Sequence, residues 1–105
     1  RRINWIIGLE YNSTLNQIKN LTEHLKNYMI TSEDFVVDKN YKAFVKLDKF
    51  NDSSIDILIY CFTSTNDWEK FLEIKENLAI EIKSKVEELK LNFAFPSRSI
   101  YIEKG

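Results

Sequence analysis

Ile55-Asp56-Ile57-Leu58-Ile59-Tyr60-Cys61-Phe62-Thr63 is a run in which β-branched and aromatic residues stand at both odd and even positions. A strand turns alternate side chains to opposite faces, so apolar residues on both parities mark a strand covered on two sides. Such a strand belongs at the middle of a sheet. Upstream, residues 2–11 alternate with period two, with Ile3, Trp5, Ile7 and Leu9 on one side and Asn4, Ile6, Gly8 and Glu10 on the other. This spacing predicts a first strand.

Between the two strands, Thr14-Leu15-Asn16-Gln17 places a hydroxyl three residues before a Gln, the reciprocal cap of a helix start. Leu15, Ile18, Leu21, Leu25, Tyr28 and Met29 follow at helical spacing and predict a helix over about 15–30. Residues 31–40 read as a polar connection. Its Phe35-Val36-Val37 is expected to tuck against the sheet edge without needing a full strand. Residues 42–47 are strand-like, and residues 49–53 are rich in turn formers.

After the central run, Asn66 with Glu69 three positions on predicts a second helix start, with Phe71, Ile74, Leu78, Ile82, Val86 and Leu89 as its buried stripe. A helix of about 24 residues spans about 36 Å against about 23 Å for a seven-residue strand, so part of it is expected to overhang the sheet. The helical pattern stops near Lys90. Pro96 then fixes φ and removes a backbone donor, which predicts an extended segment and a last strand over residues 98–103. The order β-α-β-β-α-β has one compact solution: an α+β, ferredoxin-like fold with a four-stranded antiparallel sheet and both helices on one face. Right-handed crossovers put the first and third strands in the centre and the second and fourth at the edges.

Two helices on one face leave the other face open, and its residues are not polar. With Ile3, Trp5, Ile7, Leu9, Ile55, Ile57, Ile59 and Cys61 turned to the helices, the outward positions include Ile6, Phe44, Leu58, Tyr60, Phe62 and Tyr101. A contiguous apolar patch of that kind marks a protein interface. Two arrangements would remove it: a different face choice for one strand, or residues 35–37 folding over part of it.

At 105 residues the chain is one domain, and 44% hydrophobic with 30% charged residues is ordinary for a folded one. A net charge of -1 supplies no excess to neutralise phosphates, which argues against a nucleic-acid partner. Cys61 alone cannot form an internal disulfide and reads as a buried reduced thiol. His24 lacks a second His or Cys at ligand spacing, and two glycines make no phosphate-cradling loop. Neither an enzyme nor a cofactor or metal is expected. No stretch approaches the roughly 18 apolar residues of a membrane span. The chain starts without Met, as a piece of a longer protein would.

The segment Leu91-Asn92-Phe93-Ala94-Phe95-Pro96-Ser97-Arg98-Ser99-Ile100, together with residues 52–60 and with Asn66-Asp67-Trp68 at the helix start, resembles the end of the cytoplasmic domain of small-conductance mechanosensitive channels. The resemblance covers about residues 2–102. Leu91, Phe93, Phe95, Pro96 and Ile100 keep the family's pattern, while Lys90 stands where Gly is usual, Ala94 where the first Pro is usual and Ser97 where Gln is usual. Losing that Gly removes the least strained left-handed helix cap, so the helix exit is expected to differ locally.

The resemblance implies a fragment: residues 1–105 as the single soluble C-terminal domain of a longer protein. That protein would be a homo-heptameric channel of the bacterial inner membrane that opens under tension and releases ions and small osmolytes in hypo-osmotic shock. This domain would lie on the cytoplasmic side and pack with six copies into a cage below the pore. Its partners would be copies of itself and the upstream β domain and transmembrane helices of the same chain, with no membrane insertion of its own. The alternative reading is a free-standing ferredoxin-like regulatory or assembly module that oligomerises through its sheet.

Overall fold

The structure, a computed structural model, describes residues 1–94. Its elements are β1 (Arg2–Leu9), α1 (Leu15–Thr31), β2 (Phe35–Val36), β3 (Phe44–Phe50), β4 (Ile55–Thr63) and α2 (Trp68–Glu88). The fold is α+β, with four antiparallel strands and two helices. β4 is the middle of the sheet. β1 pairs along one edge from Arg2↔Phe62 to Leu9↔Ile55. The other edge is shared end to end by β3, from Phe44↔Tyr60 to Phe50↔Ile55, and by the two residues of β2, which pair with Phe62 and Thr63.

Ile55, Ile57, Ile59 and Cys61 are buried under both helices, in one cluster with Ile18, Leu21, Leu25 and Met29 of α1 and Phe71, Ile74, Leu78, Ile82 and Val86 of α2. α1 packs over the β3 side. α2 lies toward β1: Arg1 sits over the rings of Trp68 and Phe71 at 5.0 and 5.6 Å, and the chain leaving α2 returns to the far end of β1. Among the described residues no helix is long and apolar enough to cross a membrane.

Several boundaries differ from the sequence reading, each for a local reason. β3 runs on to Phe50, because a bulge at Asp48 absorbs one residue and lets pairing resume at Lys49↔Asp56. Residues 51–54 alone make the turn, closed by Asn51 N–H donating to the Ser54 carbonyl at 2.7 Å. α1 has the expected capping box between Thr14 and Gln17, but Leu15 is 68% exposed and does not join the buried stripe. α2 is capped by Asp67 rather than Asn66, its carboxylate accepting from Lys70 N–H at 2.9 Å. With 21 residues in α2 and nine in β4, the two span about 32 and about 30 Å, so the expected overhang nearly vanishes.

The end of α2 departs from expectation in an instructive way. Lys90 takes up the left-handed conformation, φ 61°, that a Gly would adopt freely. Its N–H donates to Glu87 O at 3.1 Å and that of Leu91 to Val86 O at 2.9 Å, the two bonds of a Schellman motif. Leu91 is buried beside the last turn and supplies the hydrophobic contact that usually accompanies it. The exit geometry is kept, with strain in place of glycine. Beyond it, Leu9 and Phe93 form an antiparallel bridge, Glu10 N–H donates to Asn92 O at 3.1 Å and Ala94 N–H to Gly8 O at 2.9 Å. The chain therefore begins to pair along the free edge of β1, where the last strand was placed. Pro96 and the strand over residues 98–103 lie outside the described residues.

Lys90→Gly should stabilise the protein by about 0.5–1 kcal/mol, the relief of the left-handed lysine less the greater freedom of an unfolded glycine. Urea denaturation of the two proteins checks it; an unchanged or lower midpoint would contradict a strained cap.

Candidate interface on the open sheet face

The alternation of β1, β3 and β4 that buries one set of side chains presents another on the side away from the helices. Register arranges these in cross-strand rows: Ile6, Leu58 and Lys46; then Asn4, Tyr60 and Phe44; then Arg2, Phe62 and Val36. Five of the six residues expected on this face, Ile6, Phe44, Leu58, Tyr60 and Phe62, are thus brought together. Tyr101 lies outside the described residues.

Ile6 is 52% exposed and Phe44 38%, while Leu58, Tyr60 and Phe62 are half-buried by one another. The rings form a chain: Phe44 to Tyr60 at 6.1 Å, Tyr60 to Phe62 at 5.5 Å and edge-on, and Phe62 to Tyr41 at 5.1 Å. Tilted and edge-to-face pairs at these separations are favourable and hold the rings in fixed orientations. The Arg2 guanidinium stands 5.9 Å from the Tyr60 ring, so cations flank an apolar centre.

Tyr41 was not foreseen on this face. It stands in the 37–43 connection, where Asp38 accepts at one carboxylate oxygen from Asn40 N–H (2.8 Å) and Tyr41 N–H (2.9 Å) and donates its own N–H to Tyr41 O (2.8 Å). The only sequence signal was an Asp followed by polar turn formers. Covering by residues 35–37 is partial. Phe35 turns inward against Tyr28, with ring centroids 6.0 Å apart, Val36 flanks Phe62, and the Ile6 end stays open.

One polar group interrupts the lower end of the face. Asp56, opposite Gly8, is buried and accepts from Ser54 Oγ at 2.6 Å and Asn51 Nδ2 at 3.3 Å. A Cβ on residue 8 would come within 3.1 Å of Ser54 Cβ, which explains a glycine there: the serine is held by the carboxylate and cannot retreat freely.

His24 Nε2 pairs with Glu81 Oε2 at 2.5 Å across the two helices, a partner that helical spacing cannot reveal. Burial, helped by Glu81 and Asp34, raises the Tyr28 hydroxyl above its ordinary value. Cys61 is fully buried, and burial pushes its thiol from 9.0 up to about 12, the opposite of an activated nucleophile. Among the described residues no group of three or more His, Cys, Asp or Glu side chains is placed to hold a metal ion.

This thiol makes stability depend on pH. The folded protein keeps a proton that the unfolded chain releases near pH 9, so the contribution of Cys61 is complete below that value and is lost as pH rises toward about 12. The stability advantage of the wild type over Cys61→Ala in urea titrations should accordingly shrink from about pH 8 to about pH 11. A constant difference would mean the thiol ionises in the folded state.

Comparison with known proteins gives a consistent picture. The family described as "Mechanosensitive ion channel MscS, C-terminal" matches residues 3–93. An "Uncharacterized MscS family protein" of Helicobacter pylori is 37% identical, over 98% of this chain and 21% of its own length. The "Low conductance mechanosensitive channel YnaI" of Escherichia coli is 31% identical, over 98% of this chain and 29% of its own length. The cryo-EM structure of Arabidopsis thaliana MSL1 shares the fold, with a TM-score of 0.75 at 13% identity over 91% of this chain and 34% of that one. The chain spans only about a fifth to a third of the curated relatives it matches.

Proposed function

The chain belongs to the MscS family of mechanosensitive ion channels, as a copy of its C-terminal domain, and from that membership we propose that it is the vestibule domain of a bacterial inner-membrane channel. The whole channel opens under membrane tension and passes ions and small osmolytes when the cell swells in hypo-osmotic shock. The pore lies in transmembrane helices upstream, joined to this domain by a β domain. Seven copies of the domain stand on the cytoplasmic side as a hollow cage whose openings filter what reaches the pore. The domain itself assembles and filters; it neither gates nor conducts.

One observation carries this reading: the centre of the sheet face away from the helices is apolar, with Ile6, Phe44, Leu58, Tyr60 and Phe62 in consecutive cross-strand rows. A sheet facing water throughout would alternate to polar residues there. Apolar side chains aligned in rows and locked by ring contacts suit docking against a second folded surface, either a neighbouring subunit or the upstream β domain. The cationic rim from Arg2 and Lys46 suits a partner surface with acidic edges.

In the full-length protein, Leu58→Lys with Phe62→Lys should break up the assembly while circular dichroism still reports folded domains. An unchanged oligomer mass in native mass spectrometry would reject this face as the contact.

A further inference from the structure

Two further surfaces of opposite charge lie outside the apolar rows, the first sharing only Lys46 with the rim of the open sheet face. A groove of about 460 Å³ runs between α1 and the edge strand β3, lined by Lys19, Lys26 and Lys46, by Val45 and Leu47, and by Glu23 as its acidic member. Among the described residues the ion pairs are His24–Glu81, Lys70–Glu73, Lys83–Glu87 and Lys85–Glu88, so the three lysines of the groove are in none of them. With three lysines against one glutamate, the lining of the groove is net positive.

The complement lies on α2. At 100° per residue, Glu69, Leu72, Glu73, Glu76 and Ile80 fall within an arc of about 100°, opposite the stripe that Phe71, Ile74, Leu78 and Ile82 bury. Leu72 is 41% and Ile80 58% exposed. Glu69 and Glu76 are in none of those four ion pairs. This ridge joins two apolar side chains about 12 Å apart to the carboxylates of Glu69 and Glu76, with Glu73 between them held by Lys70. The groove offers Leu47, 37% exposed, above the buried Val45, bordered by ammonium groups that are in none of those four ion pairs. Because α1 covers the β3 side of the sheet and α2 the β1 side, the groove and the ridge sit on different flanks, and one molecule can use both at once.

We propose that the lysine-lined groove between α1 and β3 receives the Glu69 to Ile80 ridge of α2 from a second copy of this chain, so that adjacent domains meet head to tail. Laying the apolar side of a helix into a groove is a recurrent mode of recognition, and charges of opposite sign around it fix the register and speed association. The two patches differ, so the contact is heterologous and closes into a ring when repeated by rotation. A groove of this size makes a small interface. It therefore acts within an assembly also held elsewhere, and the proposal rests on the reading of the chain as part of a channel built from copies of itself.

The test uses the full-length protein, with oligomer dissociation followed against dilution by native mass spectrometry. Lys19→Glu with Lys26→Glu, and separately Glu69→Lys with Glu76→Lys, should each weaken assembly about ten-fold or more, and all four together should restore much of the loss. Lys19, Glu69 and Glu76 are exposed and Lys26 is half-buried, and circular dichroism verifies that every variant is folded. If the wild type assembles and neither reversal weakens it, or if the combination fails to rescue folded variants, the groove-and-ridge contact is wrong while the channel reading stands. A wild-type protein that stays monomeric at all concentrations overturns the channel reading, and this contact with it.

Discussion

The burial of Ile55, Ile57, Ile59 and Cys61 beneath both helices is the constraint on which the fold depends. β4 is the strand to which β1, β2 and β3 all pair, so its register fixes theirs. A slip by one residue would drive Asp56, Tyr60 and Phe62 into the core and expel the isoleucines. Two local devices guard against it. The short turn over residues 51–54 joins β3 to β4, and the buried Asp56 is held by Ser54 and Asn51 from that same turn. A carboxylate with its hydrogen bonds made is tolerated at the sheet surface; the same group moved one step into the isoleucine layer would lose them at substantial cost.

The helix layer is tied to itself as well as to the sheet. Gln17 completes the cap of α1 through its side-chain oxygen and donates through Nε2 to Leu89 O at 2.8 Å, joining the start of one helix to the end of the other. Midway along, His24 meets Glu81. With antiparallel helices pinned at one end and in the middle, the outer faces of α1 and α2 keep a fixed relation, and surfaces on opposite flanks of the domain are presented at a defined angle to any neighbour.

Much of this was legible from residue order, because it is encoded locally or by period. The capping box at Thr14, the stripe of α2, and the division of β1 and β4 into inner and outer faces all follow from spacing. Asn66 and Asp67 are both good cap residues, and only the backbone path decides that Asp67 serves, its N–H in turn donating to Thr65 Oγ1 at 3.0 Å. Leu15 sits in the first turn, where apolar spacing continues past the end of the core. The Asp48 bulge leaves no mark in the pattern, since an extra residue is visible only against the partner strand. Contacts between distant segments, Tyr41 on Phe62 and Glu81 on His24, were beyond periodicity altogether.

The division of one β4 edge between β3 and β2 leaves residues 37–43 spanning a gap in which no ladder is formed. Ala43, at the end of this segment, is buried in the core, so insertions or deletions confined to residues 38–42 should disturb neither register nor core. Tyr41 rides on that same loop and shields Phe62. Indels at this one permissive site can therefore retune how sticky the sheet surface is, letting evolution alter the domain's sociability without touching its architecture.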